Sequence, residues 1–304
     1  MKTIKKLLLS AFVIVLGITA LSVFAFVPIN IVNNNDNAWM NEIADTTETR
    51  KMSIPGTHDS GATHSIVDVA GKCQDTSISE QLKMGVRFFD LRLQNVSGEF
   101  KIVHSFVDQR LTFASVLKTY RKYIKSNPSE FLILSIKEEE AAKDSTLGFE
   151  ELLLKYLHNY EDVISYDREL PLTLGEARGK IYLLSRYANS TIGIEAHSNW
   201  KDDTSFTTST LRVQDNYNVK LVRDKMSDIE ATLSYSSLNS DRLVLNFTSC
   251  YLSDGFPPSY AGTPAKYINP WLINFLSEND VRTGVLIVDF ATTKLISTIY
   301  GRNF

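Results

Sequence analysis

The sequence predicts a single α/β domain folded as a (β/α)8-type barrel, and three observations carry that expectation. Eight apolar runs rich in Val, Ile, Leu and Phe recur along the chain, several of them near-continuous, as in strands covered on both faces of a parallel sheet. Helical periodicity lies between many of them. Nearly every run ends in polar or charged residues, the arrangement expected where the C-terminal rim of a barrel builds a site.

The runs are Lys51–Pro55, Val86–Leu93, Ile102–Phe106, Phe131–Ile136, Ile181–Leu184, Leu211–Gln214, Leu243–Phe247 and Val285–Val288. Pro55-Gly56 closes the first and opens a turn. Ser77-Ile78-Ser79-Glu80 has the form of a capping box and starts a short helix toward Met84. Val116, Leu117, Tyr120 and Ile124 form one helical face ending before Pro128. Leu152, Leu153, Tyr156 and Leu157 form a second, and Leu221, Met226, Ile229 and Leu233 a third. A further helix is expected over Asn269–Leu276, with Pro270 in its first turn. Only a tight turn at Gly98 separates the second and third runs, so one barrel helix is missing there. An open doubly wound sheet is the alternative, but no Gly-rich phosphate loop follows the first strand.

The chain has 304 residues, 43% hydrophobic and 22% charged, which suits one large packed domain. Its net charge of −3 and lack of a basic tract argue against nucleic acid as a partner. Residues 1–25 read as a signal peptide: Lys2, Lys5 and Lys6 precede an apolar stretch ending at Val23-Phe24-Ala25, with an uncleaved anchor as the alternative. Residues 26–37 are an Asn-rich lead-in to a domain spanning 38–304, so the expected location is outside the cell. Two cysteines, Cys73 and Cys250, allow one bridge or two free thiols, and no zinc framework.

The strand ends carry the chemistry. In order they supply His58-Asp59, Asp90 with Arg92, His104, Lys137 before three glutamates, Arg186-Tyr187, Asp215 with Tyr217, Thr248-Ser249, and Asp289. Any one of these is unremarkable where a strand emerges; together they put two imidazoles, a guanidinium and several carboxylates on one rim. A carboxylate-rich rim often holds a divalent metal, but Arg92 beside Asp90 indicates that the protein supplies its own positive charge, so no metal or cofactor is expected. Two histidines and an arginine suit phosphodiester cleavage by a hydroxyl of the substrate itself. One neutral imidazole takes a proton, one imidazolium gives one, and the arginine fork holds the phosphate.

Ser53–Ser60, Gly85–Arg92 and Val288-Asp289-Phe290 resemble motifs of the bacterial phosphatidylinositol-specific phospholipases C. So do Asn127–Glu130, Arg178-Gly179-Lys180, Val213-Gln214-Asp215, Asn246–Ser249 and Tyr267–Pro270, all in the family's order. The resemblance implies a distorted (β/α)8 TIM-type barrel, secreted and acting on membrane phosphatidylinositol through transient surface binding. It implies release of diacylglycerol and inositol 1,2-cyclic phosphate, with slower hydrolysis of the cyclic ester. It assigns His58 as general base oriented by Asp289, His104 as general acid supported by Asp59, Arg92 as phosphate ligand with Asp90 in the same cluster, and Lys137, Arg186, Asp215 and Tyr217 as contacts to the inositol ring. Arg92 places the chain among the metal-independent members.

The lipid-facing rim is expected at Ile66, Val67, Phe256 and Tyr260, and Cys73 and Cys250 both fall in rim loops, where a disulfide is plausible. The protein is expected to act as a monomer, with glycosylphosphatidylinositol anchors as further candidate substrates. Two alternatives stand beside this reading: a metal-dependent glycerophosphodiester hydrolase, and an inert inositol-lipid-binding module.

Overall fold

The computed structural model describes residues 38–65, 71–254 and 260–304. The expected leader of residues 1–25, the lead-in of 26–37 and the rim residues Ile66, Val67 and Phe256 lie outside the described residues. In chain order the strands are β1 (Ile54–Thr57), β2 (Phe88–Val96), β3 (Glu99–His104), β4 (Val107–Thr112), β5 (Leu132–Lys143), β6 (Ile164–Ser165), β7 (Ile181–Arg186), β8 (Ile194–Glu195), β9 (Ser205–Thr207), β10 (Leu211–Gln214), β11 (Asn218–Val219), β12 (Leu243–Phe247), β13 (Tyr251–Leu252) and β14 (Val285–Val288). The helices are α1 (Ile78–Met84), α2 (Phe113–Ser126), α3 (Phe149–Leu157), α4 (Leu174–Ala177), α5 (Val222–Leu238), α6 (Gly262–Glu278) and α7 (Thr293–Tyr300).

The strands curl into an α/β barrel of the distorted type. Pairing runs β6-β7-β5-β2-β1-β14-β12-β10-β9, parallel throughout except for β9, which pairs antiparallel with β10. Strands β1, β7, β12 and β14 are buried along their whole length, as strands with both faces covered must be. The barrel is not closed by backbone: among the described residues no ladder joins β7 to β10. The third apolar run is not a barrel strand. With only the Gly98 turn before it, β3 folds back antiparallel on β2 and β4 follows antiparallel on β3, leaving Phe106, in the turn between them, 84% exposed.

Three local expectations need correction. Pro55-Gly56 does not open a turn but lies inside β1, and Thr49–Lys51 is a short 3-10 turn. Proline is tolerated in this central strand because the ladder to β2 begins only at Gly56, so its missing N–H has no partner to lose. Helix α6 starts at Gly262, ahead of the expected boundary, with Pro270 inside it. The adjacent Asn269 turns its amide out of the helix, donating to the Asp289 backbone oxygen at 2.9 Å. Helix α7, which had no expectation attached, packs Leu295, Ile296, Ile299 and Tyr300 into the core. The capping box at Ser77 is as expected, with reciprocal bonds to Glu80 of 3.3 and 2.8 Å. That helix ends on Gly85 at φ 112°, where a Cβ would lie 2.8 Å from the Tyr300 ring.

An ion pair anchors the end of the barrel where β2 and β5 begin. Arg87, just before β2, donates to Glu130, just before β5, through Nε and Nη2, both at 2.8 Å and both side chains fully buried. Tyr123 and Trp39 stack on the guanidinium at 4.9 and 5.7 Å. Nearby Arg178 donates to the backbone oxygens of Met40 and Ile43, fastening the N-terminal segment. Removing one member of such a pair strands a buried charge. Arg87→Met is expected to lower the unfolding free energy by about 3–5 kcal/mol in urea titration; a change below about 1 kcal/mol would contradict this.

Candidate active site

Register lines up the charged residues. Arg92 on β2 pairs with Lys137 on β5, which pairs with Arg186 on β7, and Asp90 pairs with Ser135 one layer below. Residues in register on neighbouring strands share a face, and residues two apart on one strand do too, so this set points to one side of the sheet. From the adjoining strand ends, His58 follows β1, paired with β14, and Asp289 follows β14.

His58 is held from both ring nitrogens. Its Nδ1 lies 2.8 Å from Asp289 Oδ1, and its Nε2 lies 2.8 Å from Arg92 Nη2. A guanidinium can only donate, so Nε2 accepts, Nδ1 carries the proton toward Asp289, and the imidazole is neutral. Burial is the largest influence on His58 and lowers its proton affinity, as does Arg92, but the charge and hydrogen bond of Asp289, with the charge of Asp90, together prevail, and the pKa ends above the ordinary 6.5. Gln74 braces the strand ends, donating to the backbone oxygens of His58 and Val288 at 2.9 Å each.

Arg92 is the centre of the cluster. Besides His58 it meets Asp90 Oδ2 at 3.4 Å, Glu139 Oε1 at 3.2 Å and Asp59 Oδ2 at 3.6 Å. The carboxylates respond differently. Burial opposes ionisation of Asp90, yet Arg92 and Arg186 hold its pKa far below the usual range, and Ser135 Oγ and the Asp59 N–H donate to it as well. Glu139 is likewise drawn down, against burial, to about 2 by Arg92 and Lys137. Asp59 is raised instead: it is fully buried and neither carboxylate oxygen has a hydrogen-bond partner, so burial outweighs Arg92 and the two histidines. His104 faces it, Nε2 to Oδ2 at 3.8 Å, with its side chain 26% exposed.

Of the inositol-contact candidates, Arg186 and Asp215 join the cluster. Arg186 Nη1 meets Asp90 Oδ1 at 3.3 Å, Nη2 meets Asp215 Oδ2 at 3.9 Å, and its guanidinium stacks 3.7 Å from the Trp200 ring centre. Lys137 joins indirectly, bonded to Glu139 Oε2 at 2.6 Å. Tyr217 does not join: its hydroxyl donates to Asp202 at 2.7 Å and its ring lies against Tyr251. Tyr260 is 40% exposed and lines a cleft with Lys72, Asn269 and Phe290. The disulfide alternative is not realised. Cys73 and Cys250 are both free and buried, Cys73 inside the site 3.9 Å from His104 Nδ1 and Cys250 close enough to Lys225 to feel its charge.

With this geometry in hand, likeness to known proteins is informative. The family described as phosphatidylinositol-specific phospholipase C, X domain, matches residues 52–187. A protein of Staphylococcus aureus strain Newman named 1-phosphatidylinositol phosphodiesterase is 30% identical over 280 residues, covering 83% of this chain and 88% of the relative. The chain belongs to the phosphatidylinositol-specific phospholipase C family. A Listeria monocytogenes protein with the same name as the Staphylococcus relative is 29% identical over 276 residues, covering 87% of this chain and 84% of its own. Solved structures agree in fold. A mutant of the S. aureus phosphatidylinositol-specific phospholipase C has a TM-score of 0.78 at 27% identity, over 86% of this chain and 96% of that one. The L. monocytogenes phosphatidylinositol-specific phospholipase C has 0.75 at 26%, over 88% and 99%.

The family match at 52–187 contains His58, Asp59, Asp90, Arg92, His104, Lys137 and Arg186; Asp215, Tyr217 and Asp289 come from beyond it. Sequence reasoning missed Glu139, Trp200 and Cys73 as parts of this phospholipase C site. Glu139 was one of three adjacent glutamates, and a register break selects it: Leu93 pairs with Glu138 and Gln94 with Glu140, so Glu139 is the bulged residue, turned toward Arg92. Trp200 carried no signal, since the loop that holds it has no periodicity.

The Asp289 contribution can be isolated by titration. The His58 ring should titrate by NMR with a midpoint above 6.5, and Asp289→Asn should lower that midpoint by about one unit or more. An unmoved midpoint would refute the assignment of cause.

Proposed function

We propose that this chain cleaves phosphatidylinositol by attack of the inositol 2-hydroxyl on phosphorus, releasing diacylglycerol and inositol 1,2-cyclic phosphate, and then hydrolyses the cyclic ester slowly. The observation that carries this reading is the neutral His58, fixed by Asp289 with Nε2 as its accepting nitrogen, beside a guanidinium and across from a second histidine. The bond between oxygen 2 and phosphorus forms as the glycerol oxygen leaves. His58 Nε2 takes the hydroxyl proton, and His104, backed by Asp59, gives a proton to the leaving oxygen. Arg92 Nη2 now occupies the place at Nε2 that the hydroxyl must take. On substrate binding its donors turn to the phosphate oxygens, freeing the base as they neutralise the phosphorane charge.

A nucleophile within the substrate supports this reading over a covalent enzyme intermediate. Burial, Asp289 and Asp59 hold the one thiol in the site, Cys73, protonated. Intramolecular attack can draw on effective molarities of about 10⁵ M or more. Arg186, Asp215 and Lys137 are suited to the ring hydroxyls, with the Trp200 ring stacked on Arg186. The metal-dependent alternative is disfavoured because a guanidinium already occupies the middle of the carboxylates. Glycosylphosphatidylinositol anchors carry the same inositol phosphodiester and are further candidate substrates. The basic and apolar leader supports export, and the exposed aromatics Tyr260 and Phe106 support docking on a lipid surface.

Phosphorus NMR of phosphatidylinositol vesicles with protein and EDTA should show a cyclic inositol phosphate signal; its absence would overturn the proposal. His58→Ala and His104→Ala should each slow the reaction by about 10²–10⁴-fold, and Arg92→Lys by about ten- to hundredfold, because the fork geometry is lost. A bell-shaped pH profile is expected, from one neutral and one protonated imidazole.

Docking is tested separately. Phe106→Ser with Tyr260→Ser should weaken sedimentation with phosphatidylinositol vesicles by about tenfold or more while leaving cleavage of a water-soluble inositol phosphodiester intact. Equal sedimentation would exclude these residues as the rim.

A further inference from the structure

The thiol of Cys73 sits between the two histidine–carboxylate pairs of the site. Its Sγ lies within 4.8 Å of ligand atoms of His58 and Asp289 on one side, and of Asp59 and His104 on the other. The first triad is engaged, because both ring nitrogens of His58 are already hydrogen-bonded. The second is open. Among the described residues both oxygens of the fully buried Asp59 lack a hydrogen-bond partner, and His104 Nδ1 faces the sulfur at 3.9 Å.

We propose that Asp59, Cys73 and His104 form a binding site for a thiophilic divalent cation of the zinc type, and that its occupation reversibly switches the enzyme off. The donor set is one sulfur, one imidazole nitrogen and one carboxylate oxygen, which zinc prefers, with a fourth position open toward the exposed side of His104. Tetrahedral zinc holds sulfur and nitrogen ligands about 3.5 Å apart, so the Cys73 Sγ–His104 Nδ1 separation of 3.9 Å needs only a small adjustment, while Asp59, which faces Nε2, turns to join them.

Arg92 Nε, 3.6 Å from Asp59 Oδ2, opposes a second cation, but among the described residues that carboxylate accepts no hydrogen bond, and the thiolate formed on binding adds a negative charge beside it. Binding replaces the thiol proton: a zinc–sulfur bond forms, the sulfur–hydrogen bond breaks, and that proton passes to solvent, with a second from His104 where its imidazole is charged. Affinity therefore rises with pH. Inhibition rests on the proposed reaction, because a zinc-bound His104 cannot act as the general acid; binding does not rest on it.

Cobalt(II) is the direct probe, since a thiolate ligand gives it a charge-transfer band in the near ultraviolet. Chelator-treated protein should develop that band at one equivalent and keep it in Cys250→Ser. Cys73→Ser, close in size to the native residue, and Cys73→Ala should both lack it. Zinc should inhibit the native enzyme about tenfold or more, reversibly by EDTA and more strongly at higher pH. Cys73→Ala should lose that sensitivity by about tenfold or more relative to its own metal-free rate. No cobalt band in the native protein, a band retained in Cys73→Ser, or undiminished zinc inhibition of Cys73→Ala would each overturn the proposal. A cobalt band in a protein that fails to cleave phosphatidylinositol would overturn the reaction and leave the cation site standing.

Discussion

Arg92 is the group on which the site's other charges depend. Its guanidinium reaches His58, Asp90, Glu139 and Asp59 from one position, and it bears on the charge of each. It donates to His58 Nε2 and opposes protonation of the imidazole. It holds Asp90 and Glu139 ionised inside the protein, where burial alone would neutralise them. Those carboxylates in turn raise the arginine's own pKa well above its ordinary value, against burial. A buried charge is stable only when paired and hydrogen-bonded, so a single cation organises four neighbours that could not coexist without it.

Asp59 and Asp90 show how a second arginine, with added hydrogen bonds, divides similar groups. Both are fully buried and both lie beside Arg92. Asp90 also accepts from Ser135, Arg186 and the Asp59 backbone, and its pKa falls. Asp59 accepts from nothing, and its pKa rises. The first is a fixed anion tying β2 to β5 and β7. The second is a carboxyl with unused accepting capacity, facing His104 at 3.8 Å.

The barrel's open seam has a related economy. Among the described residues no ladder joins β7 to β10, yet Arg186 at the end of β7 reaches Asp215 just past β10 and stacks on Trp200 between them. Side chains close the mouth where backbone does not. The bridge meets the cluster through Arg186, which also reaches Asp90, so the seam adds polar contacts to the site.

The alternation of apolar runs and helical faces made the barrel legible, because burial on both faces leaves a continuous apolar signature. The polar strand ends made most of the site legible: His58, Asp59, Asp90, Arg92, His104 and Asp289 all converge. Motifs alone could not be sorted by purpose. Arg178 and Glu130 lie in motifs as recognisable as His58-Asp59, but they brace the far end of the strands. Composition and pattern thus determined the class of fold and the kinds of chemical group at the rim, since both follow from local burial. Only the tertiary structure decided that a bulge selects Glu139 from three glutamates, and that Cys73 lies between the two histidine–carboxylate pairs. Those outcomes depend on register and on side chains brought together from distant strands, and no local pattern encodes them.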